Sequence, residues 1–140
     1  MINIIVITHG EFGAYLIEAA EGVVGVQHEG LKNISISPRM SLEKVKSVTE
    51  AAIAEMRSED GLLFMIDMPG GTPMNVALPL AKDIAKSAVI CGVNINMLTS
   101  AFAYRKDLGF DGLVKKILED GRKAVCEVKS LLLGGGATAK

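Results

Sequence analysis

A chain of 140 residues, with 49% hydrophobic and 22% charged residues, has the composition of a single globular domain. Its 15 basic and 16 acidic side chains leave a net charge of −1, which excludes the basic surface of a nucleic-acid-binding protein. The chain starts without the cationic segment of a secretory signal, and Cys91 and Cys126 are too few for a disulfide framework, so we expect a reduced, cytoplasmic protein.

The first half of the chain alternates between strand and helix patterns. Residues 3–8 form a continuous β-branched run, typical of a strand buried on both faces of a sheet. The helical spacing that follows predicts an amphipathic helix whose apolar face carries Phe12, Leu16, Ala19, Ala20 and Val23. A second strand is predicted over residues 31–36. Ser41 is predicted to cap a second helix, whose apolar face carries Leu42, Val45, Thr49, Ala52, Ile53 and Met56.

The second half continues this alternation. Thr72 and Pro73 suit the N-cap and first position of a helix that runs to about residue 86. The other elements are predicted as strands over residues 61–66 and 88–93 and as helices over residues 97–106 and 111–120. Residues 122–133 fit either a further helix or a last strand added at the edge of the sheet. The domain is predicted to cover residues 1–133, and the glycine-rich residues 134–140 are predicted to form a flexible tail.

The order of the elements predicts the architecture. Short connections between alternating strands and helices imply right-handed crossovers, and therefore an α/β fold with a doubly wound sheet of four parallel strands and helices on both faces. Such a sheet places its functional site at the carboxyl ends of its strands, near the point where the strand order reverses. The residues that directly follow the strands are therefore the candidates for chemistry.

Two polar segments follow predicted strands in this way. Residues 8–13 read Thr-His-Gly-Glu-Phe-Gly after the first strand, and residues 67–75 read Asp-Met-Pro-Gly-Gly-Thr-Pro-Met-Asn after the third. The first and third strands of a doubly wound sheet are commonly neighbours, so His9 and Asp67 are predicted to lie within reach of each other.

His9 and Asp67 form the candidate catalytic pair. A histidine side chain is largely neutral at pH 7, so one ring nitrogen is available as a nucleophile. A carboxylate that accepts the proton of the other nitrogen fixes the tautomer and holds the ring. Such a pair suits phosphoryl transfer, which needs positioning and charge stabilisation more than covalent help.

Backbone N–H groups are the expected phosphate donors, because glycine lets the backbone approach closely and a helix N-terminus favours an anion. We expect Gly10, Gly70 and Gly71 to contact the phosphate and Thr72 to add a hydroxyl donor. The two segments contain no Lys or Arg, a pattern that favours a cradle of peptide dipoles over a nucleoside-triphosphate site. No metal ion or cofactor is expected.

Other interpretations of these residues stay open. His9 also fits an ordinary loop residue, Asp67 a turn residue, and His28 an exposed loop residue without a site around it. A receiver-like module phosphorylated on Asp67 would need acidic residues at the end of the first strand to hold Mg²⁺, where this chain has Thr8 and His9. A flavin or nucleotide binder would need a dinucleotide-binding glycine fingerprint after the first strand or a P-loop lysine after the third, and these two loops have neither. A regulatory domain that uses His9 as a switch has no distinguishing sequence feature.

At these motifs the chain resembles the mannose-type IIA component of the bacterial phosphoenolpyruvate-dependent sugar phosphotransferase system. The resemblance rests on the Thr8-His9-Gly10 segment, on the segment from Asp67 through the double glycine to Asn75, and on residues 92–98, Gly-Val-Asn-Ile-Asn-Met-Leu. It covers about 130 residues, in the family's order. One departure is Thr72, where many relatives have serine, and the hydroxyl is kept.

The resemblance implies a phosphocarrier with a flavodoxin-like fold. The family's histidine phosphocarrier protein would phosphorylate His9, with Asp67 bracing the ring and Thr72 near the phosphate. A IIB component would then accept the group for sugar uptake through a membrane IIC/IID complex. Some relatives continue into IIB, whereas here a separate IIB protein is expected. The family also implies a homodimer that exchanges an edge strand, and some of its members are regulatory or serve dihydroxyacetone kinases.

Overall fold

The computed structural model describes residues 1–134. Within them the chain order is β1 (Asn3–His9), α1 (Phe12–Val24), β2 (Leu31–Ile36), α2 (Leu42–Met56), β3 (Leu62–Ile66), α3 (Thr72–Ala81), β4 (Ser87–Cys91), α4 (Ile95–Tyr104), α5 (Phe110–Lys123) and α6 (Val128–Leu133). The predicted tail lies outside the described residues except for Gly134.

The four strands form one parallel sheet in the order β2-β1-β3-β4. Ile7 of β1 pairs with Ile34 of β2 on one side and with Ile66 of β3 on the other. The strand order reverses direction at β1, so the carboxyl ends of β1 and β3 lie side by side. The predicted doubly wound α/β sheet of four parallel strands is confirmed.

Both faces of the sheet are covered by helices. Alternate residues of β1 point to opposite faces, so Ile4 and Val6 lie in the core under α1, α4 and α5, and Ile5 and Ile7 lie in the core under α2 and α3. All five residues of β3 are buried, as a central parallel strand requires. This packing holds the strand ends of the site on a rigid support.

The face of helix α1 that packs on the sheet matches the predicted one only in part, because Ala20 is buried and Leu16 packs against the core, as predicted, but the rest of that face is not. Its buried residues are Gly13, Ile17 and Ala20, whereas Phe12 and Val23 are exposed. The reason is the close approach at Gly13, where an added Cβ would lie 2.6 Å from the Asn33 side-chain oxygen. Small residues let the helix sit against the sheet on this side, and Phe12 and Val23 are left in solvent.

Several boundaries differ from the predicted ones for local reasons. Helix α3 ends at Ala81 because the hydroxyl of Ser87 donates to the carbonyls of Ala81 and Ile84, at 2.9 and 2.8 Å. Strand β4 ends at Cys91 because Gly92 adopts a φ of +84° and turns the chain out of the sheet. Helix α4 begins earlier than predicted because the side chain of Asn94 accepts a hydrogen bond from Met97 N and caps it.

The segment over residues 122–133, which fitted either a helix or an edge strand, contains helix and turn and no strand. It contains the end of α5 and the short α6, which buries none of its residues. The implied exchange of an edge strand between two copies remains an expectation, because the structure contains a single chain. Within residues 1–134, none of the helices has the length and apolar character needed to cross a membrane.

Candidate functional site

The site is built where the two central strands end. His9 is the last residue of β1, and Asp67 directly follows β3. Their side chains meet, with His9 Nδ1 2.8 Å from Asp67 Oδ2. The proximity predicted from the topology is therefore present.

The Asp67 carboxylate is held by three hydrogen bonds. The backbone N–H of His9 donates to Oδ2 at 2.9 Å, beside the imidazole, and the N–H of Met68 donates to Oδ1 at 2.9 Å. Partial burial acts to raise the pKa of Asp67, but these bonds from His9 and Met68, together with the charge of the His9 ring, hold that pKa below its usual value. Asp67 is therefore a fixed anion at neutral pH, oriented before any substrate arrives.

Asp67→Asn is expected to lower the free energy of unfolding at neutral pH, and the difference from wild type should narrow in acid. Because the pKa of Asp67 in the folded protein lies below the usual 3.8, its carboxylate adds stability above that value and loses it as the pH falls through the folded pKa. Urea unfolding of both proteins between about pH 7 and pH 3 measures the difference. A difference that stays constant across this range would contradict the assignment.

The other ring nitrogen of His9, Nε2, does not contact Asp67 and is available to act as a nucleophile. Because Nδ1 faces a carboxylate, it carries the proton, and Nε2 keeps its lone pair. The imidazole is about half exposed, so a partner group can reach it. Gly71 lies directly against this edge of the ring, since a Cβ added there would be 3.0 Å from His9 Cε1 and 3.4 Å from Nε2.

Gly10 and Gly70, two of the predicted phosphate donors, differ in whether their backbone N–H group is available to bind an anion. The N–H of Gly10 already donates to the Ile36 carbonyl at 2.8 Å, so Gly10 contributes a turn with a φ of +56° rather than a free donor. Gly70 has a φ of +84°, and within residues 1–134 its N–H donates to the thioether of Met74, at 3.4 Å. A thioether is a weak acceptor that an anionic oxygen can replace.

The start of α3 supplies further donors. The N-cap is Gly71 rather than the predicted Thr72, which is the first residue of the helix, with Pro73 after it. Gly71 has no side chain with which to cap the helix, so the amides of Thr72 and Met74 keep the open donors of a helix N-terminus. Thr72 lines the same cavity as His9, so the positive end of the helix, which favours an anion, lies beside the imidazole.

Sequence reasoning missed one wall of the site. A cavity of about 520 Å³ beside His9 and Thr72 is closed on its far side by the loop between β2 and α2. The residues of that loop and of the start of α2 that line it are Ser37, Pro38, Met40, Leu42 and Val45. The position of β2 in the sheet could have indicated this wall. Because β2 pairs in parallel with β1, the loop after β2 must lie at the same edge of the sheet as His9.

Other candidate residues have structural roles. Asn94 caps α4 and also donates from Nδ2 to the Gly121 carbonyl at 3.2 Å. His28 is exposed in a loop, as predicted. Burial, and then the charge of Asp67, raise the pKa of the Cys91 thiol, so this cysteine stays protonated at neutral pH.

Comparison with known sequences gives a consistent family. The model of the family named EIIA-man and described as "PTS system fructose IIA component" matches residues 3–118. The PTS system mannose-specific EIIAB component of Escherichia coli strain K12 is 35% identical over 130 residues, which cover 92% of this chain and 40% of that protein. The chain thus spans about two fifths of the length of this relative. The fructose-specific EIIA component of Bacillus subtilis strain 168 is 26% identical over 120 residues, covering 84% of this chain and 80% of that protein.

Solved structures agree with this similarity. The crystal structure of the phosphotransferase system component EIIA from Streptococcus agalactiae superposes with a TM-score of 0.82 at 28% identity, covering 93% of this chain and 99% of that one. A PTS IIA protein associated with the fucose utilization operon of Streptococcus pneumoniae has a TM-score of 0.83 at 22% identity, which supports the fold alone.

Proposed function

Because the chain belongs to the EIIA-man family of phosphotransferase-system IIA components, we propose that it carries phosphoryl groups on Nε2 of His9. The donor is the histidine phosphocarrier protein of the system, and the acceptor is a IIB component. The observation that carries the proposal is the hydrogen bond of 2.8 Å between His9 Nδ1 and Asp67, which leaves Nε2 as the nucleophile.

Each transfer moves one phosphoryl group between two side chains. The lone pair of His9 Nε2 attacks phosphorus while the bond from phosphorus to the donor nitrogen breaks, and that nitrogen regains its lone pair. The proton on Nδ1 stays in place, so the phosphorylated ring becomes cationic. In the second transfer the acceptor side chain attacks phosphorus, and the electron pair of the P–N bond returns to Nε2.

Asp67 is the positioning and charge-stabilising residue in this scheme. Its lowered pKa keeps it ionised, and its bonds to both the ring and the backbone of His9 fix where the ring lies. The ring gains positive charge as the P–N bond forms, so an adjacent carboxylate stabilises the transition state more than the resting state.

The phosphoryl oxygens are proposed to bind the amides of Gly70, Gly71 and Thr72 and the Thr72 hydroxyl. This arrangement is supported by the left-handed turn at Gly70, by the bare Cα of Gly71 against the ring, and by the uncapped start of α3. Gly10 is proposed to turn the chain at the end of β1, where glycine readily adopts the φ of +56°, while its N–H donates to the Ile36 carbonyl.

The partners follow from the same proposal. A IIB component would carry the phosphoryl group onward to a membrane IIC/IID complex, and the protein would work as a homodimer. A regulatory phosphoprotein, or a carrier that serves a dihydroxyacetone kinase, would use the same histidine. Transfer of the phosphoryl group from His9 to a IIB protein would distinguish the transport role from these two alternatives.

The proposal is tested by labelling the protein with radioactive phosphoenolpyruvate in the presence of the two general proteins of the system. We expect a label that is labile in acid and stable in alkali, and that passes to an added IIB component. An alkali-labile label would instead indicate an acyl phosphate on Asp67, and no label would overturn the proposal.

Gly71→Ala is expected to slow phosphorylation by about a hundredfold, because its methyl group would press on the edge of His9 that attacks phosphorus. The backbone of Gly71 has a φ of −92°, which alanine adopts without strain, so the protein should fold normally. Gly112→Ala is the matched control, since a Cβ there meets nothing within 4 Å. Equal phosphorylation rates in the two variants would contradict the placement of Gly71 at the reacting nitrogen.

A further inference from the structure

The thioether of Met74 occupies a hydrogen-bond donor that the proposed phosphate site needs. Its sulfur, Sδ, accepts the backbone N–H of Gly70, with 3.4 Å between nitrogen and sulfur. Met74 lies in the first turn of α3, and Gly70 lies in the left-handed turn that leads into this helix. The chemical state of the Met74 sulfur therefore decides how strongly the Gly70 amide is held before a phosphoryl group arrives.

The methionines of the chain differ in access and in what their sulfur contacts. Met65 and Met97 lie in the core and are only 0% and 4% exposed, whereas Met74 is partly exposed at the margin of the core under α2 and α3. Within residues 1–134 the other thioether that accepts an N–H is that of Met40, from Ser37 at 3.4 Å on the far wall of the cavity. Met74 thus combines access to small reagents with a contact to a proposed phosphate donor.

Oxidation of this sulfur changes the strength of the contact. A thioether is a weak acceptor, whereas the oxygen of a sulfoxide is polar and a much stronger one. The methionine side chain is flexible, so rotation about its terminal bonds brings that oxygen to the Gly70 N–H. A phosphoryl oxygen easily replaces the thioether, but it would have to displace the sulfoxide oxygen, whose partial negative charge also opposes an anion in the site.

We propose that Met74 is an oxidation site that controls the phosphorylation of His9, with hydrogen peroxide as the oxidant. This inference rests on the proposed function. A lone pair of Met74 Sδ attacks one oxygen of the peroxide, so that an S–O bond forms while the O–O bond breaks. The sulfur loses two electrons, and the other peroxide oxygen leaves as water after taking up the protons. The sulfoxide then holds the Gly70 amide until a methionine sulfoxide reductase returns the thioether.

The inference is tested by oxidising the unphosphorylated protein with hydrogen peroxide. Dithiothreitol then reverses thiol oxidation, and single-turnover transfer from the phosphorylated histidine phosphocarrier protein is measured. Loss of one charge-assisted hydrogen bond to the phosphoryl group predicts a rate about ten- to a hundredfold below that of untreated protein. Methionine sulfoxide reductase should restore the rate, and peptide mass spectrometry should locate the lost oxygen on Met74.

Three substitutions assign the effect to one sulfur, with each variant compared with its own untreated rate. Met74→Leu removes the sulfur, so its transfer rate should be insensitive to peroxide. Met68→Leu, at a side chain that is 52% exposed, and Met40→Leu, at the other thioether that accepts an N–H, should lose activity on oxidation as wild type does. Equal loss in Met74→Leu, or protection by Met68→Leu or Met40→Leu instead, would overturn the inference.

A second measurement separates this inference from the proposed function. In the ¹⁵N-labelled protein, the amide proton of Gly70 should shift downfield on oxidation, because its hydrogen bond becomes stronger, and it should not move in peroxide-treated Met74→Leu. A wild-type protein that shows this shift but takes no label before oxidation would overturn the proposed function and support the sulfoxide contact. An unmoved Gly70 amide, or an equal labelling rate after complete conversion of Met74 to the sulfoxide, would overturn the oxidation inference alone.

Discussion

His9→Gln is expected to abolish the acid-labile phosphorylation of the protein completely. Glutamine has no ring nitrogen to attack phosphorus, and the remaining amide cradle binds phosphate without forming a bond to it. The fold should survive, because the imidazole is about half exposed and makes no contribution to the core. Labelling with phosphoenolpyruvate and the two general proteins, followed by acid treatment, measures the loss.

The chain offers a matched control for this experiment. Its only other histidine is His28, which lies exposed in a loop. His28→Gln should be labelled at the wild-type rate. Full labelling of His9→Gln, or loss of label in His28→Gln, would show that the phosphoryl group is carried elsewhere.

Asp67→Asn is expected to slow phosphorylation of His9 by up to about ten-thousandfold, the scale seen when a carboxylate that orients a catalytic histidine is replaced by an amide. An asparagine amide that points its NH₂ group at Nδ1 forces the ring proton onto Nε2, which then has no lone pair to attack with. An asparagine that points its oxygen there keeps the tautomer but loses the charge that stabilises the cationic ring. Single-turnover transfer from the phosphorylated carrier measures the rate.

A neutral substitution at a distant aspartate controls for the change in net charge. Asp83 is exposed after α3, and Asp83→Asn should transfer at the wild-type rate. Carrier binding by Asp67→Asn should be retained, since the partner surface is unaltered. Wild-type transfer by a folded Asp67→Asn protein would remove Asp67 from the mechanism.

The sequence carried enough information for the framework of the site. Four short runs of buried residues separated by helical patterns imply a parallel sheet, and the reversal of strand order puts the ends of the first and third strands together. That rule brought His9 to Asp67 without any long-range information, and the structure has them in contact. Topology alone therefore predicts this pair.

The structural details that depend on close packing were harder to predict from the sequence. The apolar pattern of α1 supports two faces, and only the contact of Gly13 with the side chain of Asn33 selects the one that is buried. Thr72 was expected as the N-cap of α3, but glycine at position 71 takes that place because the backbone must pass close to the His9 ring. The loop wall beyond β2 has no motif of its own, and its role follows from strand pairing.

The most direct test of the account is to identify which nitrogen of His9 carries the phosphoryl group. Nitrogen and phosphorus NMR of the ¹⁵N-labelled, phosphorylated protein distinguishes the two ring positions through their shifts and their coupling to phosphorus. The account predicts phosphorus on Nε2, with a proton retained on Nδ1 toward Asp67. Phosphorus on Nδ1, or on any group other than the His9 ring, would contradict it.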